Sequence, residues 1–235
     1  MIYLLATNNP GKAKEIRPLF ESAGLNLITL ADLGLYFEAG EDGDSFFDNA
    51  MQKARETAGF LRGQEVLGNF PDIIAKAKQT LGQAQDDKRE CSNNYIEQLA
   101  VLADDSGLVI DALDGAPGVD STLFMGKDTP YPIRCQAIAD KLALIPEKDR
   151  TARFICTLVC LMPDESFLTA EGTVEGCITR EMHGSGGFGY DPIFLYPPKG
   201  KTIAQLSSSE KNQISHRGQA IQKMIGLILN ANTSH

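Results

Sequence analysis

The opening of the chain, from Ile2 to Leu30, constrains its fold most. A short apolar run, Ile2 to Ala6, leads into Thr7-Asn8-Asn9-Pro10-Gly11, a cluster of turn formers. From about Lys12 to Ala23 the apolar residues Ile16, Leu19, Phe20 and Ala23 recur at helical spacing, and Gly24 is a stop signal. Pro18 falls inside this helix, where proline removes a backbone donor and usually kinks the axis. Asn26 to Leu30 reads as a second strand, so the chain begins as a strand-helix-strand unit.

The pattern continues in the same alternating style. Phe46, Phe47, Ala50, Ala54, Ala58 and Leu61 mark one face of a helix from Asp44 to about Leu61, with Asp44 or Ser45 as its cap. A polar, helix-prone stretch from about Gly63 to Gln98 follows, in which Phe70, Ile73, Ile74, Ala77 and Leu81 keep helical period. It reads as an inserted helical element. Strands are predicted at Leu99 to Ala103 and Leu108 to Leu113, on either side of an Asp104-Asp105-Ser106-Gly107 turn. Others are predicted at Arg153 to Met162, Phe167 to Ile178 and Phe188 to Leu195. Ile133 to Leu144 has helical period, and Ser207 to Leu229 reads as two helical pieces broken around Ser215-His216-Arg217-Gly218. Ser207 and Glu210 have capping-box spacing. With no internal repeat and no low-complexity linker, the expectation is one α/β domain over residues 1–235.

Charge and cysteine content narrow the function. The net charge of −9 repels polyanions at long range, which argues against broad nucleic-acid or membrane-surface binding. The longest apolar stretch, Ile155 to Met162, is far short of the roughly 20 residues that span a bilayer. The N-terminus has no basic lead-in and its apolar run is too short for a signal peptide, so a cytoplasmic location is expected. The five cysteines form no Cys-x-x-Cys and only three histidines are present, which disfavours a zinc site or disulfide framework. Cys156 and Cys160 read as small core residues.

Four segments have residue types suited to chemistry. A strand that turns through Thr7 to Lys12 into a helix offers backbone N–H groups, a positive dipole end and the Lys12 charge, which suit phosphate; an ordinary helix start reads the same way. Asp104 and Asp105 end an apolar run. One of them, with a carboxylate from the acidic loop Glu38 to Asp44, could bind Mg²⁺, and the alternative is a plain Asp-Asp-Ser-Gly turn. Gly184 to Pro192 combines glycines with Phe188, Tyr190 and Asp191, which fits either a base-stacking surface or a bulged strand. Lys211, His216 and Arg217 gather three donors near a helix break, where side chains can be aimed at a ligand instead of lining a solvated face.

Taken in order, these segments resemble the signatures of the Ham1/RdgB family of inosine/xanthosine triphosphate pyrophosphatases. The resemblance rests on Thr7-Asn8-Asn9-Pro10-Gly11-Lys12 with Glu15, Glu41-Asp42-Gly43-Asp44-Ser45-Phe46 with Asn49-Ala50 and Lys53-Ala54-Arg55, and Ala103-Asp104-Asp105-Ser106-Gly107-Leu108. It continues through Gly115-Ala116-Pro117-Gly118, Gly187-Phe188-Gly189-Tyr190-Asp191-Pro192-Ile193-Phe194 and Ser215-His216-Arg217-Gly218. It covers nearly the whole chain except about Gly63 to Gln98.

The resemblance implies an elongated α/β fold with a long mixed sheet flanked by helices and a cleft between two lobes, commonly as a homodimer. It also implies a Mg²⁺-dependent hydrolase that splits ITP, dITP and XTP to the monophosphate and pyrophosphate. Carried over by residue, Thr7, Asn8, Asn9, Pro10, Gly11 and Lys12 would hold the phosphates and Lys53 would contact the triphosphate. Glu41 and Asp105 would bind the metal, with Asp105 also the general base. Ser106 would touch substrate, and Phe188, Gly189, Tyr190, Asp191, Lys211, His216 and Arg217 would form the nucleoside pocket. This chain departs from the family's Ser-Ala-Arg-Tyr after Pro117-Gly118, having Ser121-Thr122-Leu123-Phe124 without the arginine. A nucleotide sensor without turnover is the competing class. A haloacid-dehalogenase-type phosphatase is disfavoured because Asp104-Asp105-Ser106-Gly107 lacks Asp-x-Asp spacing.

Overall fold

The computed structural model describes residues 1–66, 75 and 99–233. Strand β1 (Ile2–Leu5) and strand β2 (Asn26–Thr29) pair in parallel across helix α1 (Pro10–Ser22), so the opening unit forms as its pattern predicts. All four residues of β1 are buried, as expected for a strand with a parallel neighbour on each side; strand β3 (Leu99–Ile110) is the other neighbour. Helix α1 begins two residues earlier than its apolar period because the Asn9 side chain caps it and Pro10 suits its first turn. The helix continues through Pro18. Helix α2 (Phe46–Val66) starts where the Ser45 hydroxyl accepts the Asp48 N–H at 3.1 Å. It includes residues 63–66, the first four of the expected insertion; the rest of that expected element, Ala75 apart, lies outside the described residues.

Strands β4 (Thr151–Leu161), β5 (Phe167–Ile178), β6 (Phe194–Tyr196) and β7 (Lys201–Thr202) follow, with helix α3 (Tyr131–Lys141) before β4. Helices α4 (Ser208–Ile214) and α5 (His216–Thr233) close the chain. The sheet is mixed and its strand order is β2-β1-β3-β4-β5-β6-β7, with β5-β6 and β6-β7 antiparallel. The architecture is α/β, with helices flanking the sheet.

Two expectations about the strands are corrected. Asp104-Asp105-Ser106-Gly107 is no turn: β3 runs unbroken from Leu99 to Ile110, and nearly every residue in it is buried. The local turn preference of Ser and Gly gives way to ladder bonding and apolar neighbours on both sides. The strand ends earlier than expected, since Asp111–Leu113 forms a 3₁₀ turn. Likewise Phe188 to Leu195 is mostly not strand. Gly187 and Gly189 have φ of 71° and 68°, and Pro192 lies in a 3₁₀ turn, Asp191–Ile193, so only the last residues join the sheet. The predicted break around Ser215 to Gly218 narrows to Ser215 alone.

The chain divides into two compact units. The first contains residues 1–104, 158–170 and 221–235; the second contains 105–157 and 171–220. Each has its own core. In the first unit Ile2, Leu4, Ile28, Leu30, Met51, Leu61, Val101 and Val159 pack together. In the second the core includes Leu108, Ile138, Phe154, Val174, Ile193 and Phe194. Cys156 and Cys160 are fully buried, and burial pushes the Cys160 thiol up to about 12, so it acts as a small apolar group.

Within the second unit, Gly172 of β5 meets the start of α5. A Cβ there would lie 2.0 Å from the His216 carbonyl oxygen and 2.6 Å from the Ala220 nitrogen. Both are backbone atoms, so the clash has no side-chain remedy. Gly172→Ala is expected to lower stability by about 1–3 kcal/mol through overpacking. Urea unfolding should show a lower midpoint at unchanged slope.

Candidate active site

In the first unit the site is built from α1, α2 and the Asp104 position of β3. Asn9 accepts the Gly11 N–H at 2.8 Å and the Lys12 N–H at 3.4 Å, and Thr7 accepts the Asn9 N–H at 3.1 Å. These backbone donors, read from the sequence as open to phosphate, are engaged by the cap itself. The cationic group at the turn is the Lys12 ammonium, 3.0 Å from Asp104 Oδ2. Asn8 ties the turn to the next segment by donating to the Phe37 carbonyl at 2.9 Å.

Lys53 supplies a second cation here. It is 6% exposed, its ammonium 2.7 Å from Glu41 and 3.2 Å from the Asp104 carbonyl oxygen. Helix α2 itself holds the loop bearing Glu41. Asn49 accepts the Gly43 N–H at 2.8 Å, Gln52 donates to Asp42 at 2.6 Å, and Glu56 accepts the Gly40 N–H at 2.8 Å. Thus Glu41, Lys53, Lys12 and Asp104, distant in sequence, are linked through two ion pairs. Asp105 follows Asp104 on the same extended strand, where adjacent side chains point to opposite faces, and it is 3% exposed.

In the second unit the glycine-rich turn carries Phe188, and two cations lie against its ring. The Lys211 ammonium is 4.6 Å and the Arg217 guanidinium 5.3 Å from the ring centroid. Asp191 fixes this arrangement: one carboxylate oxygen accepts both the Phe188 N–H at 2.9 Å and the Lys211 ammonium at 2.7 Å. Lys211 and Asp191 are each buried, a setting in which removing either partner strands the other charge. Arg217 donates to the Ser106 hydroxyl at 2.9 Å. His216 is stacked on Phe154, ring centroids 4.8 Å apart. Nothing in the residue pattern marks Phe154 for this role, since a phenylalanine in a strand reads as core.

The Ser215 corner fixes where α5 begins. Ser215 donates its N–H to the Lys211 carbonyl at 2.8 Å, and its hydroxyl accepts the Gly218 N–H at 3.0 Å. Tyr190 is buried, with its hydroxyl donating to the Ser121 carbonyl at 2.8 Å, so it supports the turn from behind. Burial pushes its phenol well up from the usual value. Leu123, at the position where an arginine is common in the resembling family, is 44% exposed.

Among the described residues no group of three or more His, Cys, Asp or Glu side chains could hold a metal. The carboxylates of Glu41 and Asp105 supply hard oxygen donors. Mg²⁺ needs few of these, because water and substrate phosphate complete its octahedron. The donor chemistry therefore fits Mg²⁺ and not a soft-ligand metal. No helix among the described residues is long and apolar enough to cross a membrane.

The Ham1 family model matches residues 3–75 and 64–227 of the chain. A dITP/XTP pyrophosphatase of Bacillus subtilis is 37% identical over 225 residues, covering 96% of this chain and 96% of the relative. One from Shigella flexneri is 38% identical over 229 residues, covering 97% and 98%. The structure of a HAM1 protein from Coxiella burnetii superposes with a TM-score of 0.72 at 32% identity, covering 98% of this chain and all of that one.

Glu210 links this geometry to pH. It closes the α4 capping box with Ser207 and pairs with Lys199 at 2.7 Å, and these contacts, Lys199 foremost, hold its carboxyl down at about 2. A carboxylate depressed from 4.5 stabilises the fold above that value, and the contribution is lost as pH falls through the folded value of about 2. The melting temperature of the wild type should exceed that of Glu210→Gln at neutral pH, and thermal melts should show this gap closing between about pH 4.5 and pH 2.

Proposed function

The chain belongs to the Ham1 family, and from that premise we propose that it hydrolyses non-canonical purine nucleoside triphosphates, ITP, dITP and XTP, to the nucleoside monophosphate and pyrophosphate. The observation that carries this reading is the Phe188 ring with Lys211 and Arg217 against it. An aromatic face flanked by hydrogen-bond donors suits a 6-oxo purine, whose O6 is an acceptor where adenine presents an amino donor. A site that leaves buried donors unpaired with the wrong base can discriminate by as much as roughly 10⁴–10⁵.

In this reading Lys12 and Lys53 bind the phosphates, and the Thr7 to Gly11 turn, its backbone donors engaged by the Asn9 cap, holds Lys12 beside them. Their carboxylate partners keep two cations oriented in low-dielectric surroundings, where each is worth more to a phosphate than in water. Asp105 takes the proton from a water that attacks the α-phosphorus. The bond from that phosphorus to the bridging oxygen breaks, and pyrophosphate leaves with its charge balanced by the lysines. Mg²⁺, held by Glu41 and Asp105, would neutralise charge on the phosphates. Ser106 touches substrate and positions Arg217 through their hydrogen bond. Phe188, Gly189, Asp191 and His216 complete the nucleoside pocket, with Tyr190 supporting it. The family resemblance further supports a homodimer.

Asp105→Asn should lower pyrophosphate release from ITP by about 10²–10⁴-fold while the fold persists, because the shape of the side chain is kept and the base is lost. Near wild-type turnover at saturating Mg²⁺ would reassign the base to Asp104. Arg217→Ala should lower kcat/KM for ITP and XTP far more than for ATP. Equal losses across a nucleotide panel would mean that Arg217 serves phosphate or structure instead.

A further inference from the structure

Arg134 is an arginine on the buried face of a helix, and it touches none of the residues assigned above to phosphate or metal. It is 2% exposed and shares its face of α3 with Cys135, Ile138 and Ala139. Its guanidinium donates to four backbone carbonyls of one loop: Ser121 at 3.4 Å, Thr122 at 2.8 Å, Gly126 at 2.8 Å and Lys127 at 3.0 Å. It also lies 4.8 Å from the Tyr131 ring centroid. Burying a guanidinium without a carboxylate is costly, and a fork of donors on converging carbonyls is the arrangement that makes it tolerable.

The loop it gathers is the one on which the nucleoside turn rests. The Ser121 carbonyl that accepts from Arg134 also accepts the Tyr190 hydroxyl at 2.8 Å. Tyr131 packs edge-on against Tyr190, ring centroids 5.2 Å apart and planes at 87°. Residues on both sides of Tyr190 form the turn: Phe188 supplies the ring and Asp191 holds Lys211. From Arg134 to Phe188 the contacts run through Ser121 and Tyr190 without a gap.

We propose that Arg134 is a positioning residue for base recognition: by pinning the Ser121–Lys127 loop it fixes Tyr190, and through Tyr190 the turn that presents Phe188 to the purine. The inference rests on Phe188 facing the base. Its action falls on binding of the nucleoside and not on the attack at phosphorus, so Arg134 governs KM and discrimination between bases while leaving kcat largely alone.

The test measures pyrophosphate release from ITP, XTP and ATP by wild type, Arg134→Met, Arg134→Lys, Tyr190→Phe and the Arg134→Met/Tyr190→Phe double variant. Arg134→Met should raise KM for ITP by about 10- to 100-fold, the scale of a misplacement near 1 Å, with kcat within about twofold and a smaller preference over ATP. Arg134→Lys should recover only part of this, because an ammonium lacks the planar fork. Tyr190→Phe deletes one hydroxyl from a ring that stays packed, and it should shift KM in the same direction. The double variant should fall short of the product of the single effects, since both act through the Ser121 carbonyl. If Arg134→Met does not fold, the KM shift of Tyr190→Phe decides. An unchanged KM there, or equal losses in kcat on every nucleotide, overturns the inference while an active wild type keeps the pyrophosphatase reading. A wild type that releases no pyrophosphate from any of the three overturns that reading and the inference together.

Discussion

A buried carboxylate in β3, that of Asp104, is the constraint to which the rest of the first unit answers. Asp104 is 1% exposed, and a charge so placed must be compensated or neutralised. Lys12 supplies the compensation, which requires α1 to begin where it does, which in turn requires the Asn9 cap and the turn of Thr7 to Gly11. The Asp104 carbonyl then receives Lys53, and Lys53 receives Glu41, so α2 and the acidic loop are drawn to the same strand. Each cation satisfies a structural demand and remains of the right sign for a phosphate. Stability and chemistry here call for the same residues.

The second unit solves a different problem, presenting cations beside an aromatic face. Lys211 and Arg217 would repel each other if left alone against Phe188. Asp191 offsets one charge, and the Ser106 hydroxyl accepts a hydrogen bond from the other. The guanidinium carries a planar fork of donors where an ammonium is a point charge, and this is the physical ground for expecting Arg217, more than Lys211, to distinguish bases.

Much of this was legible from residue types and spacing. The strand-helix-strand opening, the Ser207–Glu210 box and the helix carrying Lys53 all announce themselves, because cap chemistry and apolar period agree there. Where local and distant preferences conflict, the sequence misleads. Ser106-Gly107 has turn-forming residues but sits in a twelve-residue strand, because its neighbours are buried. Phe188 to Leu195 has strand composition, yet its glycines and Pro192 bend it into the turn that the site needs. Arg134 left a faint signal, an arginine at helical spacing on an apolar face, whose meaning emerges only when four carbonyls converge on it. Phe154 left none.

The corner at Ser215 has a consequence for how this site can change. One residue separates the helix bearing Lys211 from the helix bearing His216 and Arg217, and a Cβ at Gly218 would lie 1.9 Å from the Asn212 carbonyl oxygen. Insertion of a single residue at this extended corner would lengthen the path between the helices by up to about 3.6 Å and carry Arg217 away from Ser106. Lineages descended from such a chain can alter which base they accept by exchanging side chains on the corner, but not by changing its length. Substrate range can drift while the spacing of Lys211, His216 and Arg217 stays frozen.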